Sequence, residues 1–163
     1  MSIFAKAKKA KENKKGFTLV ELIVVIVILA ILAAILVPAL LGWIDKAKEK
    51  QITLNAASVY KAAQARASEL YAAQDGDDTS AAKIKDAAAF GTDFFTTADV
   101  DDVKDVTLYF AGTTGHDAYT IANMTYHEGD IWAYLDNSTW TTSKTEPTGS
   151  TDGYSIKITK ADS

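Results

Sequence analysis

The most prominent pattern in the chain is an apolar run from Leu22 to Ile44 that contains no charged residue. As an α-helix, this run is about 34 Å long, which is enough to cross a bilayer core of about 30 Å. A soluble domain of this size could bury one fully apolar helix, but the run is long for that purpose. The pattern therefore predicts a membrane-spanning helix.

Beyond this run the helical pattern continues as a single apolar stripe. Its members recur at three- and four-residue steps, which places them on one face of a helix: Ile52, Ala56, Val59, Ala63, Ala67 and Leu70. Between Phe17 and Ala73, only Pro38 and Gly42 weaken the helical signal. We expect one long helix over this range. Its first half would be an anchor, and its second half would pack on a globular domain.

The long helix is predicted to end at an acidic, glycine-containing break, Asp75–Asp78. Asp78 or Thr79 can cap a second, short helix that runs to about Phe90, with Gly91 as its terminator. The acidic stretch Thr97–Val103 is expected to form a loop or a helical turn.

Strand-like stretches separated by glycines follow in the last third of the chain. They are Val106–Phe110, Ala118–Tyr126, Asp130–Leu135 and Tyr154–Thr159. The last of them alternates apolar and polar residues cleanly. A short strand at Thr139–Thr142 is a further candidate, whereas most of Ser138–Gly153 is predicted to be surface loop because it is rich in Thr and Ser. We predict an α+β fold, in which the long N-terminal helix packs against a small antiparallel sheet of about four strands.

Charge is distributed unevenly between the two ends of the chain. Residues 1–16 contain six lysines and one glutamate, so their net charge is +5. Because the total is −4, the residues after Gly16 carry −9. A basic flank keeps its side of a spanning helix in the cytoplasm, so the acidic domain is expected outside. The acidic surface also argues against a nucleic-acid partner, since nucleic acids bind basic surfaces.

Chemistry that would suggest an enzyme or a metal protein is weak in this sequence. There is no cysteine, and no GxSxG, HExxH or phosphate-binding glycine loop. The acidic segments Asp75–Asp78 and Asp99–Asp102 do not have the ligand spacing of an EF-hand loop. The only histidines, His116 and His127, lie near predicted turns. We therefore expect no catalytic site, no metal and no cofactor.

Two further surface features leave alternatives open. Asn123 and Asn137 each begin an N-glycosylation pattern, which is common by chance. Aromatic residues are concentrated in the C-terminal half. Half of them are expected to line the sheet core and half to cover its outer face, and a stacking site for sugars or surfaces is the alternative.

The N-terminus departs from an ordinary secretory signal. Such a signal has an apolar stretch of about 7–15 residues followed by a small-residue cleavage site, whereas the apolar run here is longer. Gly16 lies at the junction between the lysines and this run, and Glu21 lies inside its entrance. An acid within a membrane segment is energetically costly and usually faces a partner or has a function. Alternatively, Glu21 lies at the headgroup boundary and is merely solvated.

The segment Lys15–Leu22, which reads KGFTLVEL, resembles the class III leader junction of type IV pilins and pseudopilins. The resemblance covers residues 14–50, including Pro38. It implies that a prepilin peptidase cuts between Gly16 and Phe17, and that the new amino group of Phe17 is N-methylated. It also implies that Glu21 pairs with the amino terminus of a neighbouring subunit during assembly.

The same resemblance gives a role to the helix breakers. Pro38 lacks an N–H and clashes with the carbonyl of Ala34, and Gly42 adds weakness one turn later. One interpretation is a static kink. The other is a point at which the helix unwinds when it moves from the bilayer into a filament.

The resemblance also implies a domain organisation. Residues 1–16 would be a leader that is removed, and 17–44 would be the membrane-spanning, filament-core half of the long helix. Residues 45–74 would be its amphipathic half, and 75–163 would form a globular head. The absence of cysteines differs from the familiar Gram-negative pilins and is more similar to pilins of Gram-positive bacteria.

The expected function is therefore that of a structural subunit, similar to a major type IV pilin. It would polymerise with itself into an extracellular filament for motility, adhesion or DNA uptake. Its other partners would be the prepilin peptidase, the inner-membrane assembly platform and, before assembly, membrane lipid. The alternatives are a pseudopilin of a type II secretion or competence system, and a membrane-anchored extracytoplasmic binding protein.

Overall fold

The computed structural model describes residues 16–73, 84, 87–149 and 153–160. The chain divides into two compact units, Met1–Asp45 and Lys46–Ser163. Most of the basic leader, the predicted break at residues 75–78 and the predicted cap at residues 78–79 lie outside the described residues.

Helix α1 spans Leu19–Ala72 and includes Pro38, so the expectation of one long helix is confirmed. Within the second unit, the predicted stripe is buried in the main hydrophobic core. The buried positions are Ile52, Ala56, Val59, Ala62, Ala63 and Ala67, and Leu70 packs against the same core. Four of these six residues are alanines, so this face of the helix is lined mainly by small side chains.

Two short helices follow. Helix α2 spans Ala87–Phe90, and Gly91 ends it in a left-handed conformation, with φ +82. The amide of Gly91 donates to the carbonyl of Ala87 at 3.0 Å, as expected for a helix terminator. Helix α3 spans Asp93–Ala98 and was not predicted; it buries Phe94 and Phe95.

The sheet has five strands, all antiparallel to their neighbours, in the order β4-β3-β2-β1-β5. The strands are β1 Val103–Phe110, β2 Ile121–Glu128, β3 Ile131–Asp136, β4 Thr139–Ser143 and β5 Ser155–Thr159. The candidate strand near residue 140 is thus present as β4.

Two predicted strand starts were wrong. Strand β1 begins three residues before Val106, with a shift in pairing register between Val103 and Asp105. The stretch expected to be a strand from Ala118 instead begins as a 3₁₀ helix, Gly115–Tyr119. Ala118 and Tyr119 are buried there, which explains why their apolar character looked like the start of a strand.

Strand β4, at one edge of the sheet, is joined to β3 by a tight hairpin. Strands β3 and β4 are joined by Asn137 and Ser138, which have φ values of +45 and +65. Two consecutive residues with positive φ form a type I′ turn, whose twist suits a two-residue hairpin. This turn fixes the register in which Leu135 pairs with Trp140.

The inner face of the sheet packs on helix α1 and forms the core. The largest fully buried side chains on the sheet include Tyr126, Phe110, Leu108 and Met124. The hydroxyl of Tyr126 donates to the Glu128 carboxylate at 2.5 Å. Burial, together with this carboxylate, raises the pKa of Tyr126, so the phenol stays neutral and keeps donating.

Polar side chains of helix α1 fasten it to the backbone of the head. Gln64 donates to the Tyr119 carbonyl at 3.1 Å and accepts from the Ile121 amide at 2.9 Å. Tyr60 donates to the Ile121 carbonyl at 3.1 Å, and Arg66 donates to the Phe90 carbonyl at 3.2 Å. The predicted fold class, a long helix packed on an antiparallel sheet, is confirmed.

Candidate processing and assembly site

The candidate site lies at the start of helix α1, where Gly16, Phe17 and Thr18 precede the first helical residue. All three are exposed, and the Phe17 side chain is 79% exposed. The peptide bond between Gly16 and Phe17 therefore lies in accessible, non-helical backbone. Accessible backbone outside regular structure is where proteases act.

Gly16 has open space around it in this chain. A β-carbon added to it would meet nothing within 4 Å. Any requirement for glycine at this position therefore comes from a molecule that binds the junction, and not from the fold of the chain itself.

Thr18 caps helix α1. Its side-chain oxygen accepts from the Glu21 amide at 3.2 Å, and its carbonyl accepts from the Leu22 amide at 3.1 Å. A threonine followed three residues later by a glutamate is the capping-box spacing. This spacing was missed in the sequence pattern, although the start signals of helices could have revealed it.

The cap involves the backbone of Glu21 and leaves its carboxylate available. Among the described residues, no side chain or backbone group bonds to this carboxylate, which is exposed on the first turn of the helix. A negative charge in the first turn is favourable because of the helix dipole. The Glu21 carboxylate is therefore favourable in the first turn of the helix, and it remains available to bind a cation.

The apolar segment of helix α1 is exposed along its whole length. No residue from Leu19 to Ile44 is buried, and the helix is long and apolar enough to cross a membrane. Trp43, near the end of this segment, is 77% exposed. Tryptophan is enriched at membrane–water interfaces. An apolar surface of this extent requires lipid or other protein chains to cover it.

Pro38 and Gly42 both lie inside helix α1 within this exposed segment. A β-carbon at Gly42 would meet nothing within 4 Å. The chain's own packing therefore does not require a glycine there, and the helix continues through both residues.

The two histidines lie at separate places in the head. His116 is in the 3₁₀ helix, and its ring contacts that of Tyr71 at 5.5 Å. His127 is on β2, stacked on Trp132 at 4.0 Å, with the Asp105 carboxylate 3.4 Å from its Nδ1. In the part of the chain that the structure describes, no three potential metal ligands are grouped.

Residues 11–37 match the family model of the prokaryotic N-terminal methylation motif. No curated protein and no solved structure matches the chain. The motif indicates a structural protein rather than an enzyme, and the class III leader implies processing by a prepilin peptidase and pilus-type assembly. The leader and the apolar helix fit a single-pass membrane-anchored protein. The N-terminal segment therefore carries a type IV pilin-like leader, a feature that pilins and pseudopilins share.

Proposed function

We propose that this protein is the structural subunit of a type IV pilus. In this proposal a prepilin peptidase cleaves between Gly16 and Phe17, the new amino group of Phe17 is methylated, and helix α1 polymerises into the core of an extracellular filament. The observation that carries the proposal is the uninterrupted exposure of the apolar surface from Leu19 to Ile44, directly behind the methylation motif.

Before assembly, lipid covers this surface. The basic leader keeps the N-terminus in the cytoplasm, and the head lies on the other side of the membrane. After assembly, the same surface is covered by the helices of neighbouring subunits. The exchange is feasible because both environments are apolar, so the helix does not have to enter water on the way.

Glu21 gives this packing its register. In the described residues its carboxylate has no partner within the chain, while cleavage creates a positive amine at Phe17 only four positions earlier. Burial of an unpaired carboxylate costs several kcal/mol, roughly, and a cation of opposite charge offsets that cost. A neighbouring subunit can supply that cation, so Glu21 favours the stagger that brings it to the Phe17 amine of the next chain.

Pro38 and Gly42 mark the place where helix α1 unwinds as it moves from the bilayer into the filament. Proline removes the backbone hydrogen bond to the residue four positions earlier, Ala34, so local unwinding here breaks fewer bonds than elsewhere. Both residues lie in the exposed segment, where unwinding disrupts no packing within the chain.

The alternatives are a pseudopilin and a membrane-anchored binding protein. A pseudopilin would have the same anchor but would form a short filament within a secretion or competence system. A binding protein would keep its helix in the membrane and would have no need of the Glu21 carboxylate. The filaments themselves distinguish the three functions.

The test is to shear filaments from cells of the source strain and to analyse them by mass spectrometry. A pilus subunit is expected as the dominant component, with an N-terminal peptide that begins at methylated Phe17. If surface filaments lack this chain while it is processed in the membrane, the pseudopilin function is favoured. If the chain retains its leader in the membrane, the processing proposal is wrong as well.

A further inference from the structure

The outer face of the sheet, opposite helix α1, has a pocket with a volume of about 140 Å³. Strand alternation explains its composition, since successive residues point to opposite faces. Leu108, Tyr126 and Leu135 face the core. The immediate neighbours of core-facing residues therefore point to the outer face. Five of these neighbours line the pocket: Tyr109, Asn123 (beside the buried Met124), Thr125, Tyr134 and Asp136.

The strand register brings these five side chains together. Tyr109 on β1 pairs with Asn123 on β2, and Thr125 on β2 pairs with Tyr134 on β3. Asp136 follows Tyr134 on the same face, two residues later. The pocket is therefore built on three adjacent strands, which hold its side chains more rigidly than a loop would.

A segment after β4 forms the remaining side of the pocket through Pro147, Thr148 and Gly149. Gly149 lies directly against the ring of Tyr109, and a β-carbon added at Gly149 would collide with that ring. Because these ring atoms are the far end of the tyrosine side chain, a larger residue at Gly149 would shift the ring of Tyr109 and change the shape of the pocket.

The lining offers aromatic faces and uncharged hydrogen-bonding groups. Two tyrosines provide rings and hydroxyls, and Thr125, which is nearly buried, lies at the pocket floor. None of the described residues that line the pocket is Lys, Arg or His. Lys157, a cation on the same face of the sheet, is paired with Asp105 and Glu146, each at 3.5 Å. The pocket is therefore unsuited to phosphate or to an anionic sugar.

We propose that this pocket binds one ring of a neutral sugar, such as the terminal unit of a glycan. A pyranose has an apolar face of C–H groups that packs on tyrosine rings, and a rim of hydroxyls that donate to Asp136 and exchange hydrogen bonds with tyrosine hydroxyls. The volume of about 140 Å³ is below the roughly 300–1,000 Å³ of pockets for drug-sized ligands. It therefore suits a single ring and not an extended oligosaccharide.

An organic cation is the competing ligand, because tyrosine rings and a carboxylate also attract ammonium groups. Asp136 is exposed to water, so its charge is screened, and the uncharged groups of the lining outnumber it. The balance of the lining favours the sugar. The sugar proposal is independent of whether the chain forms a pilus or a pseudopilus.

The test uses the full chain in micelles of a zwitterionic detergent that has no sugar headgroup. Methyl glycosides of neutral hexoses and N-acetylhexosamines are the probes, and saturation-transfer NMR detects the contact. We expect transfer to the ring C–H protons of at least one probe at millimolar concentration. Tyr134→Ala should weaken its affinity by about tenfold or more, a change of about 1.4 kcal/mol, and Tyr134→Phe by less.

Asp136→Asn should also weaken the affinity, whereas the matched control Asp130→Asn, at the exposed turn between β2 and β3, should not. Tyr134→Phe and Asp136→Asn preserve side-chain shape, so they test the site even if Tyr134→Ala fails to fold. The proposal is overturned if no glycoside in the set receives saturation. It is also overturned if Tyr134→Phe and Asp136→Asn both bind as the parent chain does, or if methylammonium binds more tightly than every glycoside.

Discussion

The two halves of helix α1 have the same secondary structure and opposite surfaces. From Leu19 to Ile44 no residue is buried, whereas the second half contributes six buried residues to the core of the head. In the first half, the backbone forms helical hydrogen bonds, but the apolar side chains are not packed against any other part of the described chain. One helix can therefore pack against its own domain along one half and, along the other half, expose an apolar surface that lipid or other protein chains must cover.

The same contrast applies to the polar groups. The side-chain amide of Gln64 both donates and accepts a hydrogen bond within the chain. For Glu21, the described hydrogen bond to Thr18 comes from the backbone N–H and not from the carboxylate. We therefore expect substitutions in the first half to alter processing and assembly and to leave the head folded. Substitutions in the second half should alter the free energy of unfolding of the head.

The largest effect is expected at the cleavage junction. Gly16→Val should abolish maturation, because a branched side chain would block close approach of the peptidase to the backbone. Mass spectrometry of membrane fractions should then show the uncleaved chain. Gly42→Val is the matched control, because a β-carbon meets nothing within 4 Å at either position. If the Gly16→Val chain matures to Phe17, glycine is not what the peptidase recognises.

The next effect is expected at Glu21. Glu21→Ala should leave maturation intact and should reduce surface filaments by at least an order of magnitude, because loss of one partner from a buried ion pair costs roughly 3–5 kcal/mol. Electron microscopy counts the filaments, and Glu49→Ala on the same helix is the control. Wild-type numbers of filaments in Glu21→Ala cells would remove this carboxylate from assembly.

The two regions also differ in how far their sequence predicts them. The apolar run and the motif at Gly16–Glu21 are local features, so their pattern alone indicated the helix and its leader. The contacts of Gln64 and Arg66 could not be predicted, because their partners at Tyr119 and Phe90 are distant in sequence. Such contacts depend on where the strands and short helices lie in the fold. The spacing of apolar residues along the sequence does not determine those positions.

Short elements were the other source of error. Helix α3 has six residues, too few for a helical period to stand out from its neighbours. The 3₁₀ helix at Gly115–Tyr119 buries two apolar residues beside a strand, so an apolar pattern cannot separate the two elements. A stacking site for sugars was an open alternative, but its residues could not be chosen, because the sequence did not show which aromatic residues share a face.

A third prediction compares the two surfaces of helix α1 within the head. Ala63 is fully buried, whereas Ala65, two residues later, is exposed. Ala63→Leu should destabilise the head by about 1–3 kcal/mol through overpacking. Ala65→Leu should change its stability by less than about 0.5 kcal/mol. Urea unfolding of the full chain in micelles, followed by near-UV circular dichroism, measures both values, and equal values would contradict the helix–sheet packing.

A fourth prediction concerns the amide that joins the helix to the head. Gln64→Ala should cost about 1–2 kcal/mol, because the Ile121 amide and the Tyr119 carbonyl each lose a partner. Gln64→Glu should cost less than the alanine variant at neutral pH, since a carboxylate still accepts from the Ile121 amide. Gln51→Ala is the control, because the Gln51 side chain is exposed and, among the described residues, donates to the side chain of Asn55 alone. Urea unfolding measures the free energy of unfolding of each variant. If Gln51→Ala lowers it as much as Gln64→Ala does, Gln64 has no special role in joining the helix to the head.

The smallest effect is expected at the ion pair between Arg66 and Glu69, which are 3.4 Å apart on the surface of helix α1. The Glu69 side chain is 69% exposed, so water and salt screen the pair, and Glu69→Ala should cost no more than about 0.5 kcal/mol. Arg66→Ala should cost more, because its Nε also donates to the Phe90 carbonyl at 3.2 Å. The excess of the arginine variant over the glutamate variant should persist at high salt, because it comes from a hydrogen bond to the backbone and not from the ion pair. If high salt removes that excess, the hydrogen bond from Arg66 to the Phe90 carbonyl does not contribute to stability.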